Sequence, residues 1–331
     1  MKAPRFSIVI PVYNAAGYLR ECLDSVREQT IADWEAICID DGSSDDSGKI
    51  LDEYAAKDVR FKIVHQKNAG VGVARNVGLM RAGGVILTWL DADDLFARDV
   101  LARVDRIFGE TDPDMVRVRL VRFTCNEKVE LTHSNPAYNV IESAGSIHDW
   151  ARNTLTREGY CCTTFSKRNL LRHPFFDGVN NVEDALFMLA NVWGMTRIVQ
   201  CELVGYYYRA TPVSITNHGT FCSTERLCFF KAFEKVCKLY GGADKRLSRM
   251  GWFNLVGWCL RPREIEVAGE IHAEFMRIVS QGGIRRKDLP FYARPAFALY
   301  CWLGLRQPIT LVYGIISKIS RVRDRILHGV N

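Results

Sequence analysis

Apolar positions in the first 120 residues alternate between two periods. FSIVIPVY (6–13) is a near-continuous apolar run, the pattern of a strand covered on both faces. Residues 18–29 then place Tyr18, Leu19, Cys22, Leu23 and Val26 on one helical face. WEAICID (34–40) predicts a second strand, and Ser44 or Asp45 can cap a helix running through Tyr54. FKIVH (61–65) predicts a third strand, residues 71–82 a helix ending at Gly83–Gly84, VILTWL (85–90) a fourth strand, and residues near 97–108 another helix. Strands alternating with helices imply a mostly parallel α/β sheet.

The middle of the chain is less regular. MVRVRLVRF (115–123) alternates like a strand, residues 124–140 form a polar surface excursion, residues 183–193 are helical and VGYYYR (204–209) is a strand. From about residue 221 the pattern is helical, with Gly-Gly breaks at 241–242 and 282–283. No internal repeat or low-complexity segment interrupts it. The reading is therefore an α/β domain over residues 1–218 and a helical C-terminal region over 219–331.

Composition changes this picture little. With 331 residues, 48% of them hydrophobic, the chain can build a sizeable core. The apolar stretch before Asn14 is too short for a signal-peptide core. Eleven cysteines, with Cys161 and Cys162 adjacent and no C-x-x-C, argue against zinc or redox chemistry and for a reducing compartment. Charge adds more. Residues 285–331 hold nine Lys/Arg against two Asp/Glu, while the whole chain carries +6, so the rest is close to neutral. That argues against a nucleic-acid-binding catalytic domain and for a C-terminal contact with something anionic.

Four motifs carry candidate chemistry. In TWLDADDLF (88–96) an apolar strand ends in Asp91, Asp93 and Asp94. Ligands gather at the carboxyl edge of parallel sheets. A D-x-D spacing, with Ala92 making room, lets two carboxylates face Mg2+ or Mn2+; the alternative is a solvated turn whose Asp caps the next helix. In IDDGSSD (39–45), Gly42 supplies a tight turn and the Ser and Asp residues can start a helix; the functional alternative is that Asp40 or Asp41 reads a nucleobase. NAGVGVARNVG (68–78) lacks the full dinucleotide fingerprint. It places Arg75 on a helix, where it is either a surface charge or a holder of ribose or diphosphate oxygens. NVEDALF (181–187) opens a helix whose acidic start suits the dipole, and Asp184 can also serve as a general base.

In this order, SIVIPVYN, YLRECLDSV, ICIDDGSSD, NAGVGVARNVG, TWLDADD, NVEDALF and YYYRATPVSIT (206–216), the chain resembles the family 2 glycosyltransferases of the GT-A fold. The likeness covers about residues 5–215. It implies a Rossmann-like, mostly parallel central sheet and inverting sugar transfer from a nucleoside-diphosphate sugar, most commonly of uridine, with Mg2+ or Mn2+ as cofactor. Carried over by position, Pro11, Tyr13 and Asn14 line the nucleotide pocket, with Asn68 and Ala92 also on the donor. Asp40 contacts the base and Asp41 supports it. Arg75 lies near the ribose or diphosphate. Asp91 approaches the ribose or metal shell, Asp93 ligates the metal and Asp184 is the catalytic base. Glu183 and Arg209 are further candidates for diphosphate or acceptor contacts. The implied acceptor is a glycan or lipid-linked hydroxyl in bacterial-type surface polysaccharide or glycolipid assembly.

The chain departs from the processive members, which carry a Q-x-x-R-W segment and long transmembrane spans. One sugar per acceptor encounter is the expectation. The tail PAFALYCWLGLRQPITLVYGII (295–316) is apolar but broken by Arg306, Gln307 and Pro308. A spanning helix wants about 20 apolar residues, and a central Arg costs about 2.5–3.5 kcal/mol on insertion scales. The following SKISRVRDRILHG adds Lys318, Arg321, Arg323 and Arg325. An apolar hairpin and a basic helix suit peripheral docking on an anionic inner leaflet from the cytoplasmic side; the alternatives are an ordinary helical subdomain and a single span. Two rival functions stand beside the transferase. A nucleotidyltransferase would need a basic, Gly-rich loop after the first strand, where this chain reads PVYNAAGY. A non-catalytic nucleotide-sugar-binding scaffold would keep the fold without turnover.

Overall fold

Four parallel strands form the half of the sheet whose edge carries three of the four motifs. In the computed structural model the structure describes residues 3–124, 137–158, 160–176, 178–179, 183–210 and 223–240, with isolated positions 277, 280 and 287. β1 (Phe6–Val12) pairs in parallel with β2 (Trp34–Asp40) and with β4 (Ile86–Trp89), and β2 pairs with β3 (Phe61–His65). Every residue of β1, β2 and β4 is buried, as the apolar runs require. Helices α1 (Ala16–Arg27), α2 (Ser47–Lys57) and α3 (Val71–Arg81) connect these strands. Leu19, Cys22, Leu23 and Val26 are the buried face of α1. α3 lies tight against the sheet at Gly78: a Cβ there would stand 2.2 Å from Val9 Cγ1.

The remainder of the sheet is mixed. β5 (Leu95–Phe96), α4 (Val100–Thr111), β6 (Met115–Phe123), β7 (Tyr138–Glu142), α5 (Ala144–Glu158), β8 (Thr164–Lys167), α6 (Glu183–Val192) and β9 (Arg197–Arg209) follow in the chain. The strand order is β3-β2-β1-β4-β8-β6-β9-β5, with β7 also on β9. β8 enters antiparallel between β4 and β6. Its sequence, TFSK, is short and half hydroxylic, so periodicity does not predict it. β9 begins seven residues before the expected VGYYYR, because its first half pairs with β7 and its second half with β5. β7 overlaps the end of the expected polar excursion, and residues 125–136 lie outside the described ones.

The chain divides into two compact units, Met1–Gly219 and Thr220–Asn331. In the second, α7 (Ser223–Leu239) buries Ala232, Phe233, Val236 and Cys237, and its Glu234 pairs with Lys238 and Arg277. The apolar and basic tail segments lie outside the described residues. Among the described residues no helix is long and apolar enough to cross a membrane.

Candidate active site

The carboxyl ends of β1 and β2 are stitched together by short polar side chains. Asn14 takes a left-handed backbone (φ 49°) just past β1. Its Oδ1 accepts from the Ser44 N–H at 2.8 Å, and its own N–H donates to Ser43 Oγ. Asp45 accepts from the N–H groups of Ala16 and Ser47, so one carboxylate serves the starts of both α1 and α2. Pro11 is buried in β1, and Tyr13 is 54% exposed beyond its end. An exposed ring at a sheet edge offers a face for a planar ligand.

Asp40 and Asp41 are both buried, and each has its own partners. Asp40 accepts from Ser43 N–H at 2.9 Å and faces His65 Nδ1 at 2.8 Å. Burial alone would raise its pKa, but the bonds from Ser43 and His65 outweigh burial and hold it below the usual carboxylate range. The bond to Asp40 in turn raises His65, whose Nε2 lies 3.2 Å from Asp52. Asp41 accepts from Gln66 Nε2 and from the N–H groups of Ala69 and Gly70 at 2.7–2.9 Å, fixing the loop that opens α3. Asn68 is exposed on that loop, and its backbone N would lie 2.8 Å from a Cβ on Gly42, which has φ +74°. Only glycine fits that turn.

The crowding of DADD resolves into three different environments. Asp94 is buried and structural: it accepts from Tyr206 OH at 2.6 Å and from the Arg209 N–H at 2.7 Å. It does not cap α4. Burial and the neighbouring Asp91 and Asp93 charges nonetheless raise its pKa. Asp91 is 30% exposed and accepts from Arg75 Nη2 at 2.9 Å. Asp93 has no side-chain hydrogen-bond partner among the described residues, and burial, then the Asp91 charge, pushes it up to about 6. Ala92 between them is buried.

Arg75 joins this loop to the other acidic motif. It is 3% exposed on α3, and its Nη1 donates to Glu183 Oε1 at 3.0 Å and to Asp184 Oδ1 at 2.6 Å. Its plane lies over the Phe175 ring, 5.3 Å from the centroid. Asp184 Oδ2 also accepts from the Cys161 N–H at 3.3 Å. One guanidinium thus meets three carboxylates. Burial raises both Asp184 and Glu183, partly opposed by Arg75. Among the described residues, Arg75 Nε and Glu183 Oε2 are buried without a partner. Such a cluster suits exchange with a charged ligand.

Arg209 is placed differently from the expectation of a diphosphate or acceptor contact. Its side chain is 3% exposed, with Nε donating to the Asp93 carbonyl at 2.8 Å and Nη2 to Glu21 at 2.8 Å. Its guanidinium lies over Tyr18 and Phe123. These partners hold it beneath the DADD loop. His65, Tyr206 and the Cys161 N–H are site elements that sequence reading did not identify. Each acts through a partner at least 23 positions away, and no local pattern announces such a pairing.

A divalent cation can be tested against these donors. Among the described residues no group of three or more His, Cys, Asp or Glu side chains is arranged to hold a metal. The D-x-D offers two carboxylates, one of them unpartnered. Mg2+ and Mn2+ at phosphate sites commonly take one or two carboxylates and complete their shell with phosphate and water, so the donor set fits.

The chain matches the description Glycosyl transferase family 2 over residues 7–171. It is 42% identical over 225 residues to EpsH of Bacillus subtilis (strain 168), whose name assigns it to the glycosyltransferases; that match covers 66% of this chain and 64% of EpsH. The chain spans a little under two thirds of the length of its first curated relatives. Its fold is similar to that of S. aureus TarS 1-349 in complex with UDP, with TM-score 0.67 and 18% identity over 93% of this chain and 89% of that fragment. It is also similar to the mannosyltransferase PcManGT from Pyrobaculum calidifontis in complex with GDP-Man and Mn2+, with TM-score 0.51 and 16% identity over 98% and 88% of the two chains. With its GT-A sheet and its ordered motifs, the chain belongs, through residues 7–171, to glycosyl transferase family 2.

Proposed function

We propose that the chain moves one sugar from a nucleoside-diphosphate sugar, a UDP-sugar by preference, to a hydroxyl of a glycan or lipid-linked acceptor, with inversion at the anomeric carbon. The observation that carries this reading is the meeting of the D-x-D and the E-D at Arg75. Leaving-group charge and acceptor deprotonation must be handled on opposite faces of one sugar in a single displacement, and Arg75 is where the two carboxylate motifs converge.

In this reading Pro11, Tyr13, Asn14 and Asn68 border the nucleotide, and Asp40 and Asp41 hold the edge on which the base rests. Asp93, with Asp91, would hold Mg2+ or Mn2+, which would supply positive charge where the diphosphate leaves. Arg75 keeps Asp91, Glu183 and Asp184 in one register. Asp184 accepts the proton of the acceptor hydroxyl as its oxygen attacks the face of the sugar opposite the leaving group. The raised pKa of Asp184 makes it a better proton acceptor than an ordinary surface aspartate. A retaining double displacement would need a placed nucleophile, and no residue is assigned that role.

The proposal gives catalysis to residues 1–218 and membrane docking to 219–331, where the apolar and basic tail would meet an anionic leaflet from the cytoplasmic side. UDP-bound TarS and the Mn2+-bound mannosyltransferase support the donor and metal classes by likeness of fold. The test is nucleoside diphosphate release from a panel of sugar nucleotides, in Mn2+ and in EDTA. Metal-dependent release from one donor is expected. Nucleotide binding without release from any donor, with acceptor glycolipids supplied, would favour a scaffold instead.

A further inference from the structure

We infer that Tyr206 is a positioning residue that sets the D-x-D carboxylates through Asp94. The inference rests on the reading of the DADD loop as the place where donor and cation bind.

Tyr206 is fully buried in β9. Its hydroxyl donates to Asp94 Oδ2 at 2.6 Å and accepts from the Asp91 N–H at 3.2 Å. Three residues further along the same strand, Arg209 donates its N–H to Asp94 Oδ1 and its Nε–H to the Asp93 carbonyl. The end of β9 therefore grips positions 91, 93 and 94 by backbone or buried side chain. What it leaves ungripped are the carboxylates of Asp91 and Asp93. The loop also closes on itself, with the Asp94 N–H on the Asp91 carbonyl at 3.0 Å. β9 can serve as the fixed point because it pairs with β5 just after the loop, at Leu95 with Tyr207 and Phe96 with Tyr206.

The hydroxyl is the informative atom. The ring packs edge-on against Phe96, a contact that phenylalanine would keep. Within Tyr206, only the oxygen bridges the Asp91 N–H to the Asp94 carboxylate, and Asp94 is too buried for water to replace it. Partners that orient metal-binding side chains commonly change metal affinity by about 10–100-fold when removed. A third acidic residue that is not itself a ligand is thereby explained: Asp94 is the handle by which β9 holds the other two.

The test is Mn2+ titration of the full chain with UDP present, read as loss of the free-ion signal in electron paramagnetic resonance. Tyr206→Phe is expected to weaken Mn2+ about 10–100-fold while UDP binding in EDTA stays at the wild-type level. Ser7→Ala is the control, since it removes buried hydrogen bonds to Glu35 and from Gly84 near the opposite end of β1; it is expected to lower stability and leave Mn2+ affinity intact. Equal Mn2+ affinity in Tyr206→Phe and wild type, or equal weakening in Ser7→Ala, would overturn the inference alone. A wild type that takes up no Mn2+ with UDP would overturn the metal-dependent reading and this inference with it. Should Tyr206→Phe fail to fold, Asp94→Asn, which keeps the shape and loses one acceptor, is read by the same criteria.

Discussion

Arg75 Nη1 lies 2.6 Å from Asp184 Oδ1, across 109 positions of sequence, while Nη2 of the same guanidinium holds Asp91. The proposed base and Asp91 at the end of β4 are therefore held by a single buried cation. Removing that cation should damage both. Arg75→Ala leaves Asp91, Glu183 and Asp184 facing one another, and unpairing a buried charge costs about 3–5 kcal/mol. Urea unfolding is expected to show a loss of that size. Arg75→Lys, with one point charge in place of a fork, is expected to recover part of the stability and little turnover.

Asp41 should behave as a loop anchor. Its carboxylate takes the N–H groups of Ala69 and Gly70 as well as Gln66. Asp41→Ala orphans two backbone donors at the start of α3, at about 1–3 kcal/mol each where they stay out of water. Chemical denaturation should register the loss, and UDP titration should show weaker binding as the loop bearing Asn68 loosens.

The Asp40–His65 pair predicts a bounded pH window of stability. Asp40 is depressed in the fold, so its contribution is present above its unfolded value, near 3.9, and disappears as pH falls through its folded pKa. His65 is raised, so its contribution is full below about 6.5 and disappears as pH rises through its folded pKa. The Tm difference between wild type and His65→Gln should be largest between about pH 4 and 6.5 and shrink at both ends. A difference that stayed constant from pH 3 to 9 would remove the pair from the account.

Two glycines should respond in opposite directions to alanine. A Cβ at Gly78 would meet Val9 at 2.2 Å, and β-branched Val9 sits in the fully buried β1, so Gly78→Ala should cost about 1–3 kcal/mol. Gly17 in α1 has nothing within 4 Å of the same atom, and Gly17→Ala should add about 0.4–1 kcal/mol. Thermal melts of the two variants check both signs.

Much of the first half of the fold was legible in the sequence because burial there is total. FSIVIPVY and WEAICID have no polar face to lose, and α1 and α3 end close to where periodicity places them. β8 was not legible, since its buried Thr164 and Ser166 read as loop residues until their hydrogen-bonded setting is known. In the site, motif positions were legible but pairings were not. Asp94 looks like its neighbours in DADD, and only β9, 112 positions away, distinguishes it. Arg209 in YYYR reads as a candidate diphosphate or acceptor contact, and the sequence does not show that Glu21 and the Asp93 carbonyl lie against it.

The central claim is that Asp184 is the proton acceptor of a sugar transfer. It is tested most directly by UDP release from the preferred donor with acceptor present, comparing wild type with Asp184→Asn, alongside UDP binding by both. The account predicts wild-type-like binding and a rate lower by about 10²–10⁴-fold in the variant. Undiminished release by Asp184→Asn would contradict it.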